Sequence, residues 1–202
     1  MTGFQPDEFA AYVAFAAIGS FTPGPNTMIA LATGVHFGWR RVWPHALGVM
    51  AGVSAMLAMG IAGAVGLVLA VPGAGAVLRA VGIAYLLWLA WSIARSADPH
   101  RRGLERPLAA WQSTLLQFVN VKAWMLAIAI AVASTWFAQP GTALARAAVA
   151  IAVFAVMTAI ANVAWAAAGQ GLQAWLSVGR RRRVFDRTMG IALAASALSM
   201  LR

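Results

Sequence analysis

Long apolar runs separated by short polar or basic stretches repeat along the chain, and their length carries the first signal. A helix needs about 20 apolar residues to cross roughly 30 Å of hydrocarbon. Phe9 to Val35 is free of Asp, Glu, Lys and Arg and predicts a first membrane helix. Val42 to Leu78 is too long for one span, and Val71-Pro72-Gly73-Ala74-Gly75 interrupts it with residues suited to a tight turn. That stretch therefore predicts a second helix and a third reaching about Ile93. After the polar stretch Arg95 to Arg106, Leu108 to Phe137 is a fourth segment whose only charge is Lys122. Gln139-Pro140-Gly141 turns the chain into a fifth segment, Ala147 to about Trp175, and Val184 to Leu201 is a short sixth with Asp186 and Arg187 in its first turn.

Composition supports lipid as the solvent. Only 10% of residues are charged and 62% are hydrophobic, whereas soluble domains carry about 25% charged residues. The expected fold is an all-α membrane protein of six transmembrane helices in a single transporter domain, residues 1–202. The chain has no cysteine, so disulfides and thiolate metal sites are excluded. Asp7 and Glu8 stand where a secretory signal would carry positive charge, so the first apolar run reads as a permanent helix. The net charge of +10 invites a nucleic-acid reading. A nucleic-acid binder, however, displays its basic residues on a water-exposed face, and here arginines punctuate apolar runs. Membrane lipid, not nucleic acid, is the expected macroscopic partner.

Those arginines set the orientation, because Lys and Arg accumulate in cytoplasmic connections. The first connection holds Arg40 and Arg41; the third holds Arg95, Arg101, Arg102 and Arg106; the fifth holds Arg180 to Arg183 and Arg187. The second and fourth hold only Arg79 and Arg146. Both termini are thus expected outside. Trp39, Trp43, Trp88, Trp91, Trp111 and Trp175 fall near predicted cytoplasmic ends and Trp136 near the opposite end, as interfacial belts require, while Trp124 and Trp165 do not fit. Six spans divide into two sets of three, about 5–95 and 107–202, and an odd number per set inverts one relative to the other, as in many transporters. The first segment of each half carries a polar break at the same depth: Pro23 lies fourteen residues after Phe9, and Lys122 fourteen after Leu108.

The first break reads Phe21-Thr22-Pro23-Gly24-Pro25-Asn26. Each proline lacks an N–H, so the carbonyls of Gly19 and Phe21 lose their helical donors. Gly24 adds backbone freedom, and the helix can restart at Asn26 or Thr27 with free N–H groups pointing into the break. Unpaired backbone at this depth survives only when buried in protein or lining a watery cavity. Restarting N–H groups suit a carboxylate and freed carbonyls an ammonium group, so one interrupted helix can hold both ends of an amino acid. A proline kink that only shapes packing is the alternative.

The second break, Gln117 to Trp124, contains Lys122, the only lysine in the chain. Its stem of about 6 Å does not easily reach an interface from mid-membrane, which favours a cavity-facing role over snorkelling. Asn162 and Ser54 fit interhelical hydrogen bonds better than ligands. Gly48-Val49-Met50-Ala51-Gly52 permits close helix approach, within one chain or across a homodimer. His36 and His45 fall near the predicted cytoplasmic interface and are given no role.

Pro23-Gly24-Pro25-Asn26, then Gly34, Gly38, Arg40, Gly48 and Gly52, resembles the opening signature of the lysine exporter family, also called the LysE or RhtB type. Arg79 to Leu89 is similar to that family's third segment, Gln117 to Ala123 to its fourth, and Arg183 to Gly190 to its last. The family usually has Asn-Pro-Lys in the fourth segment, where this chain has Asn120-Val121-Lys122 and so lacks a proline that would open the second helix. The resemblance implies export of amino acids or close derivatives across the bacterial inner membrane, coupled to a proton gradient or the membrane potential, with no cofactor and no enzymatic activity.

The expected substrate-binding residues are Gly19, Phe21, Pro23, Gly24, Pro25 and Asn26 in the first break and Asn120 and Lys122 in the second. Lys122 is also the candidate for proton coupling. A metal-ion or other small-solute exporter and a non-transporting scaffold are the alternatives. A metal is disfavoured because no Asp, Glu or Cys falls mid-segment and the central charge is positive. The topology is testable directly: single cysteines near Asp98 and near Gly179 are expected to resist an impermeant thiol reagent added outside intact cells, and labelling of either would reverse the orientation.

Overall fold

The run from Phe9 to Val35 does not fold as one helix. In the computed structural model, which describes residues 6–62, 74–95, 106–120, 122–125, 142–177 and 179–198, α1 spans Pro6–Phe21 and α2 spans Pro25–Phe37. Two prolines within three residues remove consecutive ladder bonds, and the second suits the first position of the new helix, where its missing N–H costs nothing. The helix accordingly restarts at Pro25, one or two residues ahead of the expected start. A 3₁₀ turn, Trp39–Val42, leads into α3, Trp43–Ile61. Then follow α4, Ala74–Arg95; α5, Ala110–Phe118; a helical stretch at 122–125; α6, Ala143–Gly171; a 3₁₀ turn, Trp175–Ser177; and α7, Gly179–Leu198.

Every regular element among the described residues is helical. Trp39–Ile61 and Ala143–Gly171 are each long and apolar enough to cross a membrane alone. The boundaries differ from the hydropathy reading where charged residues stay helical. Arg79 lies inside α4, Arg146 inside α6, and Arg180 to Arg183 form the first turns of α7, because arginine is a good helix former and a hydropathy boundary cannot see it. Residues 71–73 of the first expected turn, 126–137 of the fourth segment and the second expected turn, Gln139-Pro140-Gly141, lie outside the described residues, while Ala74 and Gly75 are already helical.

The long α6 is the spine. Arg146 pairs with Glu8 at 2.8 Å, the Tyr12 hydroxyl donates to the Ala150 carbonyl at 2.9 Å, Ser20 meets Thr158 at 3.2 Å, and Gln173 donates to the Val35 carbonyl at 3.1 Å. All four pairs are 138 residues apart. A constant offset from Glu8 to Val35 means that α1 and α2 both run parallel to α6, so the break interrupts the helix without reversing the chain. Glycines set the closeness of this contact. A methyl added to Gly34 would stand 1.9 Å from the Ala166 carbonyl oxygen, and one on Gly169 would stand 2.2 Å from that of Leu31.

Likewise, a methyl on Gly48 would meet the Ala110 carbonyl at 2.1 Å, and one on Gly52 would meet the Gln117 side chain at 2.6 Å. The Gly48/Gly52 face is therefore occupied by α5 of the same chain. Tyr12, Val53, Met56, Leu57, Ala150 and Phe154 form one buried cluster, and Ile29, Leu86, Leu89, Ile93, Leu116 and Leu193 belong to a second that ties α7 and α4 to α2. Lipid tails are as apolar as leucine, so close backbone approach and hydrogen bonds, more than burial, hold such helices together. Gly34→Ala is thus expected to cost about 1–3 kcal/mol through overpacking. Gly171→Ala, with nothing within 4 Å of the added methyl, should be neutral or mildly stabilising. Unfolding midpoints of the two variants in detergent would separate these outcomes.

Candidate solute site at two helix breaks

Two carbonyls at the first break, that of Phe21 released by Pro25 and that of Thr22 beside it, find partners far along the chain. The Trp165 indole N–H donates to the Phe21 carbonyl at 3.2 Å, and the Lys122 ammonium donates to the Thr22 carbonyl at 2.7 Å. On the restarting side, Thr27 Oγ1 accepts the Gly24 N–H at 2.8 Å and donates to the Gly24 carbonyl at 2.9 Å, closing the first turn of α2 on itself. Glycine at position 24 leaves the face against which Lys122 lies: a methyl there would contact Lys122 Cδ at 3.4 Å.

The second break forms without a proline. After α5 ends at Phe118, the Asn120 side-chain oxygen accepts the Lys122 N–H at 3.1 Å, and its carbonyl accepts the N–H groups of Ala123 and Trp124 at 2.9 and 3.2 Å. Asparagine here is a helix N-cap, which restarts a helix by supplying an acceptor for an orphan donor. The Trp124 indole donates to the Phe118 carbonyl at 2.6 Å. Each of the two tryptophans that fail to fit an interfacial belt thus caps a carbonyl at one of the breaks.

An amide pair joins the breaks. Asn26 Nδ2 donates to Gln117 Oε1 at 2.8 Å and Gln117 Nε2 donates to Asn26 Oδ1 at 3.1 Å, with a further bond from Gln117 to the Ser113 carbonyl at 2.8 Å. His45 on α3 braces the pair, its Nε2 at 3.3 Å from the Asn26 carbonyl and its Nδ1 at 2.8 Å from the Ser113 hydroxyl. A carbonyl can only accept, so the His45 proton sits on Nε2 and the serine donates to Nδ1.

Between the breaks and α6 lies a cavity of about 40 Å³, room for on the order of three waters. Of the residues expected to bind solute, Gly19, Gly24, Pro25, Asn26, Asn120 and Lys122 line it. Phe21 and Pro23 do not: both are exposed, and the Phe21 carbonyl is taken by Trp165 rather than open to an ammonium group. The sequence reading did not assign Gln117, Thr158 and Asn162 to the cavity they line, nor His45 to its role as a brace. Ser113, Gln117 and Asn120 do recur at helical spacing, a polar stripe on an otherwise apolar segment, and that signal was available. His45 gave none.

A paired-break architecture of this kind can be compared with known sequences. The family profile described as LysE type translocator matches residues 17–202. The chain belongs to that family. It is accordingly an inner-membrane transporter and not an enzyme. The chain is 32% identical over 194 residues to the cysteine/O-acetylserine efflux protein of Escherichia coli strain K12, covering 94% of this chain and 93% of the relative. The protein of the same description from Shigella sonnei strain Ss046 matches to the same extent. No solved structure matches the chain. Within this family member the amide bridge is expected to be energetically coupled. Asn26→Leu leaves the buried Gln117 Oε1 without its partner while the bond to Ser113 remains, and Gln117→Leu leaves the half-buried Asn26 amide unpaired, each at about 1–3 kcal/mol. The double variant should cost less than the sum, and strict additivity of unfolding midpoints would show that the two amides act independently.

Proposed function

We propose that this LysE-type translocator exports a small amino acid or close derivative, which binds in the cavity between the two helix breaks with its carboxylate toward Lys122. The single observation that carries the reading is the convergence of the chain's only lysine and two restarting helices on one cavity inside an apolar bundle. Helix N-termini and an ammonium group both favour a carboxylate, and an intramembrane cation marks a functional site by default. The efflux relatives act on cysteine and O-acetylserine by their description, so solutes with short side chains are the first candidates.

In this reading the chain crosses the bilayer six times as two inverted three-helix sets, with both termini outside. The parallel course of α1–α2 and α6 agrees with that topology, as does the parallel approach of Gly48 to Ala110 and Gly52 to Thr114. A cavity with room for about three waters is too small for an amino acid, so solute enters when the two sets rock apart and the cavity opens to one side at a time. Lys122 then exchanges its bond to the Thr22 carbonyl for the solute carboxylate. The bond to a backbone carbonyl satisfies the ammonium while the site is empty.

Counterflow in proteoliposomes with L-cysteine, O-acetyl-L-serine and the larger amino acids tests the substrate class. Lys122→Gln should keep the fold and lose most of the exchange. Lys122→Arg should rescue it poorly, because the planar guanidinium does not reproduce the compact ammonium against Gly24. Wild-type exchange rates in the glutamine variant would remove Lys122 from the site.

A further inference from the structure

The chain has five acidic residues. Asp7 and Glu8 head α1, and Asp98 and Glu105 fall outside the described residues. The fifth, Asp186, is fully buried in α7. Its Oδ1 stands 2.8 Å from Nε2 of His36, the penultimate residue of α2, whose side chain is 6% exposed. Arg182 Nη2 stands 2.7 Å from His36 Nδ1. A guanidinium can only donate, so Nδ1 accepts from Arg182 and the histidine proton sits on Nε2, donating to Asp186. The chain Arg182–His36–Asp186 is thus a neutral cluster of one cation, one uncharged ring and one carboxylate. It ties the first half of the protein to the last helix.

One atom of the cluster is left open. Asp186 Oδ2 is buried and accepts no hydrogen bond among the described residues, with Arg182 Nε 4.0 Å away. We propose that Oδ2 of Asp186 is the proton-binding site of the transport cycle and that the His36–Asp186 tie is the gate it controls. The proposal rests on the amino-acid export reading for its role in coupling, though not for the proton site itself. A proton taken from water onto Oδ2 neutralises the carboxylate and leaves Arg182, whose side chain is partly exposed, without its buried counter-ion. The His36 bond to Oδ1 falls from a charge-assisted hydrogen bond to a neutral one, and hydration of the Arg182 cation favours separation. Return of that proton to cytoplasmic water restores the carboxylate and re-forms the tie behind the solute. A proton moving inward and a solute moving outward would then depend on one bond.

No other described group in the neighbourhood competes for this role. Arg95 on α4, Arg40 and Arg41 on the turn after α2, and Arg180, Arg181, Arg183 and Arg187 on α7 carry guanidinium groups, which donate hydrogen bonds and do not accept them. His45 on α3 is turned toward Ser113 and Asn26.

Because the chain has no cysteine, Val53→Cys in the cavity wall reports opening without any solute. In inside-out vesicles an impermeant thiol reagent should label it several-fold faster at pH 5.5 than at pH 8.5. Asp186→Asn, a fixed mimic of the protonated form, should label at the fast rate at both values, and Asp186→Glu should keep the response. A pH response in the asparagine variant equal to that of the Val53→Cys parent, or none in that parent, overturns the proposal. If Asp186→Asn does not fold, His36→Gln serves, with the same loss of response expected and an unaltered response overturning it. During L-cysteine efflux, a pH dye trapped in the vesicles should show proton movement that Asp186→Asn abolishes while exchange continues; an unchanged number of protons per cysteine also overturns it. A chain that moves no amino acid yet keeps Asp186-dependent labelling would sink the export reading and leave the proton site standing.

Discussion

A backbone polar group inside hydrocarbon must find a partner, and most of this structure follows from how that demand is met at two places. The break at Pro23 and Pro25 leaves carbonyls at the end of α1 that take their donors from outside that helix. The partners come from far along the chain: Trp165 on α6 for Phe21, and Lys122 from the second break for Thr22. Each such bond is local chemistry and long-range architecture together. It fixes where α6 and the fourth segment stand relative to the first, and it fixes the position of the chain's only ammonium group.

The second break meets the same demand by a different route. Asn120 supplies in its side chain the acceptor that ends one helix and begins another, so no proline is needed at position 121. Proline forces a break by removing a donor; asparagine permits one by offering a competing acceptor. The two breaks are thus alike in outcome and unlike in stiffness. That difference sits within a site where the Asn26–Gln117 amide pair holds one break against the other. Small residues do the remaining work: Gly34, Gly169, Gly48 and Gly52 let backbones approach until no side chain fits between them. The partners of the breaks are within reach for that reason.

Much of this was legible in the sequence and some was not, for physical reasons. Run length and the arginine pattern point to membrane helices, and Pro23-Gly24-Pro25-Asn26 announces its own break because proline acts on its own backbone. Lys122 stood out because a lone cation in an apolar run has few places to go. The fate of the Phe21 carbonyl was illegible, since its donor lies 144 residues away. Trp124 and Trp165 were visible as misfits to the interfacial belt, though the pattern could not say which carbonyls they served. His45 and Asp186 sit near segment ends, where sequence alone cannot distinguish a solvated polar residue from a buried one.

Burial of Asp186 changes how charge is distributed in the molecule. Along α1–α2, contacts to charged groups stand near both ends of the rod: the ion pair of Glu8 with the buried Arg146 at the start, and the hydrogen bonds of the His36 ring with Asp186 and Arg182 at the close. Each joins α1 or α2 to a helix from the second half of the chain, and the cavity at the two breaks lies between them. A buried pair is a poor source of net stability, because desolvation offsets most of the attraction, but breaking one by removing a partner is costly. Such contacts are therefore close to two-state: made, or opened to water. Apolar packing at the same positions would hold the halves together without a comparable response to protons. Contacts to charged groups thus stand at the two ends and a neutral amide pair at the middle, so the contacts that water can loosen lie on either side of a centre that it does not.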